Sequence, residues 1–235
     1  MKFLLAGIIF FHFITFAKAN ENVLKEKIQK QYPEVTITSV IQTDFNSLYE
    51  VLIGDQIIYT DKDFSFLIIG KVIDPKSRKD ITQTRIDELT KIVFKDLPFE
   101  NSIKIVKGNG SNKMAVFSDV DCPFCKKLER EALLNLQDAT IYIFLYPLDI
   151  HPEAKPKSAK IWCATNRQKA WLDFMLNDRM AENNGDCSNP IEETLALGRS
   201  LGISATPTIV LSSGKKIPGA ISYEELDKYL NGFYD

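Results

Sequence analysis

Two cysteines separated by two residues, Cys122-Pro123-Phe124-Cys125, are the side chains in this 235-residue chain best suited to chemistry. The reactive form of cysteine is the thiolate, and a free thiol of pKa about 8.5 supplies only a few per cent of it at neutral pH. The flanking residues suggest how that fraction rises. Met114-Ala115-Val116-Phe117 is an apolar run of strand type, and Leu128, Ala132 and Leu136 follow at helical spacing. The pair therefore spans a strand-to-helix junction, with Cys122 near the helix N-cap and Cys125 one turn inside. The unsatisfied N–H groups and the positive end of the helix dipole then face the Cys122 sulfur. Such settings lower a thiol pKa to about 3.5–7.5. Cys122 is expected to be the nucleophile, and the less exposed Cys125 the resolving thiol.

Two plainer readings compete, half of a four-cysteine zinc site and a pair of incidental buried thiols. Zinc needs two more ligands at knuckle-like spacing, whereas Cys163 and Cys187 lie far apart and belong to no second Cys-x-x-Cys. His151 is the only histidine outside the N-terminal apolar segment. No metal and no cofactor is expected. Asp119 and Asp121 precede Cys122 closely, and a nearby carboxylate opposes thiolate formation. Asp121 reads as a capping or solvated charge, while the role of Asp119 stays open between proton handling and capping. Lys126 and Lys127 read as solvated, and His151 as an ordinary loop residue.

The elements that must hold this pair follow from the whole chain. The apolar content of 45% fills real cores, and a formal charge of −2 gives no basic excess for nucleic acid. Residues 1–19 read as a signal peptide: Lys2 is the positive start, Phe3 to Phe16 the apolar centre, and Ala17-Lys18-Ala19 the cleavage site. The apolar run is shorter than the roughly 20 residues of a spanning helix. Cleavage implies export to an oxidising compartment, where four cysteines favour disulfides over metal.

Residues 20–79 read as a small α+β domain. A helix carries Leu24, Ile28 and Tyr32 and stops at Pro33. A strand follows with Val35, Ile37, Ser39 and Ile41 on one face, then a hairpin of Leu48–Ile53 and Gln56–Thr60 about Gly54-Asp55, then a strand over Phe64–Ile73. So thin a core suggests completion by pairing, and an exposed sheet edge would serve as a dimerisation surface; the alternative is an accessory subdomain packed on its own chain. Residues 80–98 read as a linker helix, roughly 82–97, capped by Thr84 with Asp87, apolar along Ile86, Leu89 and Val93, and stopped by Pro98. Residues 99–235 give strands at Ile103–Val106 and Met114–Ser118, the Cys-x-x-Cys helix, a strand at Thr140–Tyr146, and a helical stretch from Pro152 to Asp178. A helix over Ile191–Leu201, a hairpin of Thr208–Leu211 with Lys216-Ile217, and a helix over Ser222–Leu230 complete it. This is the order of a thioredoxin fold with a helical insertion.

Over nearly its whole length after residue 19 the chain resembles the periplasmic thiol:disulfide interchange proteins of the DsbC and DsbG type. The resemblance rests on Tyr59-Thr60-Asp61, Ile69-Gly70-Lys71-Val72-Ile73-Asp74, Phe117-Ser118-Asp119 leading to the cysteine pair, Ile161-Trp162-Cys163-Ala164, Ala196-Leu197-Gly198, Ser204-Ala205-Thr206-Pro207 and Ile217-Pro218-Gly219. It implies an α/β catalytic domain of thioredoxin type behind a small dimerisation domain, a periplasmic homodimer, misfolded exported proteins with wrong disulfides as clients, and a DsbD-like membrane reductase as electron donor. It also implies that Pro207 is cis with Thr206 beside the reactive cysteines as a substrate-binding residue, and that Cys163 and Cys187 form a structural bridge. Pro123-Phe124 departs from the Gly-Tyr of the isomerases and the Pro-Tyr of the DsbG-like branch. An isomerase and a DsbG-like chaperone that protects thiols therefore both stay open.

Overall fold

The computed structural model describes residues 20–232 except Asn46 and Asp55, so the expected signal peptide, residues 1–19, lies outside the described residues. Two compact units divide between Leu89 and Thr90. Among the described residues no helix is long and apolar enough to cross a membrane.

The first unit opens with α1, helical over residues 20–31, which buries Leu24 and Ile28. An antiparallel sheet follows in the order β1 (Ile37–Gln42), β2 (Tyr49–Ile53), β3 (Gln56–Thr60), β4 (Ile68–Ile69). Strict alternation along β1 places Ile37, Ser39 and Ile41 together, but Ile37 and Val40 are the buried residues. A bulge is the cause: Ile37 pairs with Ile53 and Ser39 with Leu52, so one extra residue enters β1 and reverses its faces. The strand expected over Phe64–Ile73 shrinks to two residues, which bond to β3 only through Ile58↔Ile69 and Tyr59↔Ile68. Phe66, Leu67, Ile68 and Ile69 are exposed there, Ile69 by 79%.

The helix expected over 82–97 covers only Ile81–Leu89 (α2). Its cap is Asp80, whose Oδ1 accepts from the Gln83 N–H at 2.8 Å, and not Thr84. Ile86 and Leu89 pack with Leu52, Ile57 and Tyr59, so α2 belongs to the first unit. The helix ends because the next apolar residues face another core. Ile92 and Leu97 join Phe117 and Phe144 in the second unit, the Ile92 N–H donates to Gly214 O at 2.9 Å, and Val93 is 56% exposed.

The second unit is a five-stranded sheet in the order β5 (Ile103–Lys107), β7 (Ala139–Leu145), β6 (Asn112–Ser118), β8 (Thr208–Leu211), β9 (Lys216–Pro218). Only β6 and β7 run parallel; the other pairs are antiparallel. Both faces of the central strands are covered. Met114 and Val116 point into one apolar cluster and Ala115 and Phe117 into the other, while β7 alternates in the same way through Ile141, Ile143, Phe144 and Leu145. Burying a side chain such as Phe117 stabilises by roughly 1.5–3 kcal/mol. Helix α3 (Pro123–Glu131) follows β6 directly. The helical stretch after β7 divides into α4 (Ala154–Trp162) and α5 (Arg167–Asn177), because Asn166 starts a new helix by accepting from the Lys169 N–H. Helix α6 (Ile191–Ser200) precedes β8, and α7 (Tyr223–Leu230), capped by Ser222, is the last helix among the described residues.

Candidate active site

Strand β6 ends at Ser118, and four residues later Cys122 is the N-cap of α3 with extended dihedrals, φ −72° and ψ 121°. Pro123 takes the first helical position, where its missing N–H costs no hydrogen bond. The Cys122 carbonyl accepts from the N–H groups of Cys125 and Lys126 at 3.1 and 3.2 Å, which tightens the first turn around the pair. Both thiols are free, and both are buried. Cys122 is 4% exposed and Cys125 2%, so the expected contrast in exposure is slight; Phe124 between them is 61% exposed.

The contrast lies in surroundings. Burial pushes the Cys125 thiol up to about 12, and negative charge on Cys122 adds to the rise; hydrogen bonds from Ser118 and from the Asp119 N–H oppose it. That N–H lies 3.3 Å from Cys125 Sγ. Cys122 Sγ faces the Thr206 carbonyl oxygen at 3.5 Å instead. The Thr206-Pro207 peptide is cis, and Pro207 O accepts from the Gly219 N–H at 2.7 Å just before β8 begins. Residues 84 positions apart thus meet at one sulfur.

Cys163 and Cys187 are bonded to each other, 24 positions apart in sequence and with Cα atoms 5.6 Å apart. Neither is available to complete a four-cysteine zinc site with Cys122 and Cys125. Among the described residues no group of three His, Cys, Asp or Glu side chains is placed to hold a metal ion.

Several charged residues have more specific places than their sequence positions suggest. Asp119 is fully buried; its Oδ1 accepts from the Asp121 N–H at 2.8 Å, and its Oδ2 from the Leu148 N–H at 2.7 Å and from His151 Nδ1 at 2.9 Å. His151 is therefore part of the site's framework and not an ordinary loop residue. Asp121 neither caps α3 nor stands in water, because Lys157 Nζ binds both its oxygens at 2.7 and 2.9 Å. Lys126 is paired with Asp178 and lies 4.7 Å from the Phe174 ring centre, so it is not simply solvated. Lys127, 3.8 Å from Glu131 on an exposed face, is as expected. The signal for Asp119 was its place three residues before Cys122. Nothing local marks His151 or Lys157, whose partners lie about thirty residues away.

The chain is similar to known proteins in both units. Residues 99–233 match the thioredoxin-like domain model, and residues 15–83 match the disulfide bond isomerase protein N-terminal domain. The probable thiol:disulfide interchange protein DsbC of Bordetella parapertussis is 36% identical over 209 residues, covering 89% of this chain and 74% of that one. The thiol:disulfide interchange protein DsbC of Escherichia coli K12 is 26% identical over 223 residues, covering 93% and 91%. The crystal structure of a disulfide interchange protein from Neisseria gonorrhoeae superposes with a TM-score of 0.56 at 39% identity, covering 58% of this chain and 97% of that one. With the cysteine pair at the N-terminus of α3 and the thioredoxin-like sheet behind it, the chain belongs to the DsbC-type thiol:disulfide interchange proteins, which are thiol–disulfide oxidoreductases.

Proposed function

We propose that this protein isomerises or reduces wrong disulfides in exported proteins through its Cys122-Pro123-Phe124-Cys125 site, and that it does so in the periplasm after losing residues 1–19. The observation that carries the division of labour is the difference in setting: Cys122 caps α3 with the Thr206 carbonyl at its sulfur, whereas Cys125 is buried one turn inside the helix, where burial pushes its thiol up. Cys122, at the helix N-terminus, attacks the client disulfide and forms a mixed disulfide with it. A second client thiol then releases the enzyme, completing an isomerisation, or Cys125 does so, completing a reduction. After reduction the Cys122–Cys125 disulfide takes electrons from a DsbD-like membrane reductase. The cis Thr206-Pro207 turn beside Cys122 supports a role for those two residues in aligning the client backbone.

The two units divide this work, the first, through Leu89, serving pairing and the second, from Thr90, catalysis; of the expected linker over 80–98, α2 packs with the first unit and Ile92 and Leu97 with the second. A homodimer accounts for the exposed apolar edge at Phe66, Leu67, Ile68 and Ile69, which a second copy would cover. Two catalytic domains facing one client supply the apolar surface that isomerisation needs. Reactivation of scrambled ribonuclease, insulin reduction and light scattering test the proposal together. The full chain should be a dimer active in both assays, and a chain beginning at Thr90 a monomer that reduces insulin but loses most reactivation. A full-length monomer, or a truncated form that reactivates as well as its parent, would overturn the dimeric mechanism. Suppression of aggregation without reactivation, persisting in a Cys122→Ser, Cys125→Ser chain, would favour a DsbG-like chaperone instead.

A further inference from the structure

Asp119 uses all three of its polar groups on the cysteine turn. Its N–H points at Cys125 Sγ at 3.3 Å, its C=O accepts from the Cys122 N–H at 3.2 Å, and its carboxylate is fully buried. That carboxylate receives N–H groups from two separate loops, Asp121 ahead of α3 and Leu148 after β7, and its third partner is the His151 ring. Carboxylate oxygens accept, so the imidazole donates from Nδ1. His151 is itself fixed: its N–H donates to Leu148 O and its C=O accepts from the Ala154 N–H, both at 2.9 Å, at the entry to α4. The ring therefore clamps the residue whose peptide N–H is aimed at the resolving sulfur.

We infer that His151 is a positioning residue for the release step, holding Asp119 so that its N–H stabilises negative charge on Cys125 as that sulfur attacks the mixed disulfide. The inference rests on the division of labour proposed above. In the step, the Cys125 sulfur bonds to the Cys122 sulfur and the bond from Cys122 to the client breaks. The client sulfur leaves with the electron pair and ends with the proton that Cys125 gave up. The two enzyme thiols are oxidised by two electrons, and the client disulfide is reduced by the same two. Negative charge passes through Cys125, where burial opposes it most, so a well-aimed donor matters more here than in the attack by Cys122, which has the Thr206 carbonyl and not this N–H beside it.

The test uses oxidised glutathione as the client. Formation of the Cys122–glutathione disulfide is followed in a Cys125→Ser background, and its decay by Cys125 in the otherwise unaltered chain, both by acid quench and mass spectrometry. His151→Leu should slow decay about tenfold and formation less than about twofold, the size expected for losing one charge-assisted alignment. His151→Asn, whose amide N–H replaces Nδ1, should recover most of the lost rate. The ratio of the two steps is the readout, because a loss of folded protein lowers both in proportion, and His151→Ser repeats the measurement if the leucine chain does not fold. Equal slowing of both steps, an unchanged decay rate, or an asparagine variant no faster than leucine would overturn the inference. Absence of any adduct on Cys122 in the parent would overturn the cysteine assignment on which it stands.

Discussion

Cys122 and Cys125 sit within one helical turn and remain thiols, whereas Cys163 and Cys187 lie 24 residues apart in sequence and are joined. The first pair takes its character from a strand-to-helix junction, with a helix N-terminus and the Thr206 carbonyl at one sulfur and a buried N–H at the other. The second pair has no such setting; Cys187 is exposed on a loop. Its effect is to close the segment that contains α5, and α5 backs the reactive helix. Trp171 on α5 donates to Glu129 on α3 at 3.1 Å, and Phe174 lies under Lys126. Cysteine proximity in sequence thus marks chemistry here, and cysteine separation marks a clasp on the element that supports it.

The strongest way to break this comparison is to alter the reactive pair one residue at a time. Cys122→Ser should lower insulin reduction by on the order of a thousandfold or more, since the nucleophile itself is gone. Cys125→Ser should still attack but accumulate mixed disulfides with clients, visible on non-reducing gels. Equal accumulation in both variants would show that the two sulfurs are interchangeable and that their different surroundings do not sort their roles.

The clasp gives a smaller effect of another kind. A Cys163→Ser, Cys187→Ser chain frees a loop of about 25 residues in the unfolded state and should lose roughly 3 kcal/mol of stability in urea. Exchange at Cys122, expressed per folded molecule, should change by less than about twofold. A large loss of exchange with little loss of stability would reveal a second redox pair, and the comparison would fail at its second half.

The sequence reading succeeded where periodicity and local chemistry decide the outcome. The cysteine junction, the buried strand expected over Thr140–Tyr146 and found at Ala139–Leu145, and the helix ending at Leu230 each follow from residues adjacent in the chain. It failed where a distant partner decides. The bulge that reverses β1 is visible only in its register with β2, and α2 stops at Leu89 because Ile92 and Leu97 are drawn into a core built largely from β6 and β7. His151 was missed for the same reason: its role comes from Asp119, 32 residues earlier, and histidine between Ile150 and Pro152 carries no periodic signal. Pairing of Cys163 with Cys187 came from family resemblance, because four cysteines alone permit three connectivities.

The smallest expected effect tests the joint between the two regions. Glu129, one turn beyond Cys125, is 3% exposed, and burial raises its carboxyl from the ordinary 4.5 to about 7 against the opposing Trp171 hydrogen bond and the Lys107 charge. Because the folded value lies above the unfolded one, the folded chain keeps a proton that the unfolded chain has released between about pH 4.5 and 7. This group's contribution is therefore most favourable below about 4.5, falls as pH rises to about 7, and is flat above. Glu129→Gln keeps an oxygen for Trp171 Nε1 and removes the titration. It should flatten that part of the urea-midpoint profile and raise stability at pH 8 by roughly 1–2 kcal/mol, less than the full linkage effect because a buried amide also needs partners. If the profile keeps its slope in the variant, another group is titrating there, and the α3–α5 joint does not carry a pH-dependent charge between the reactive pair and the clasped helix.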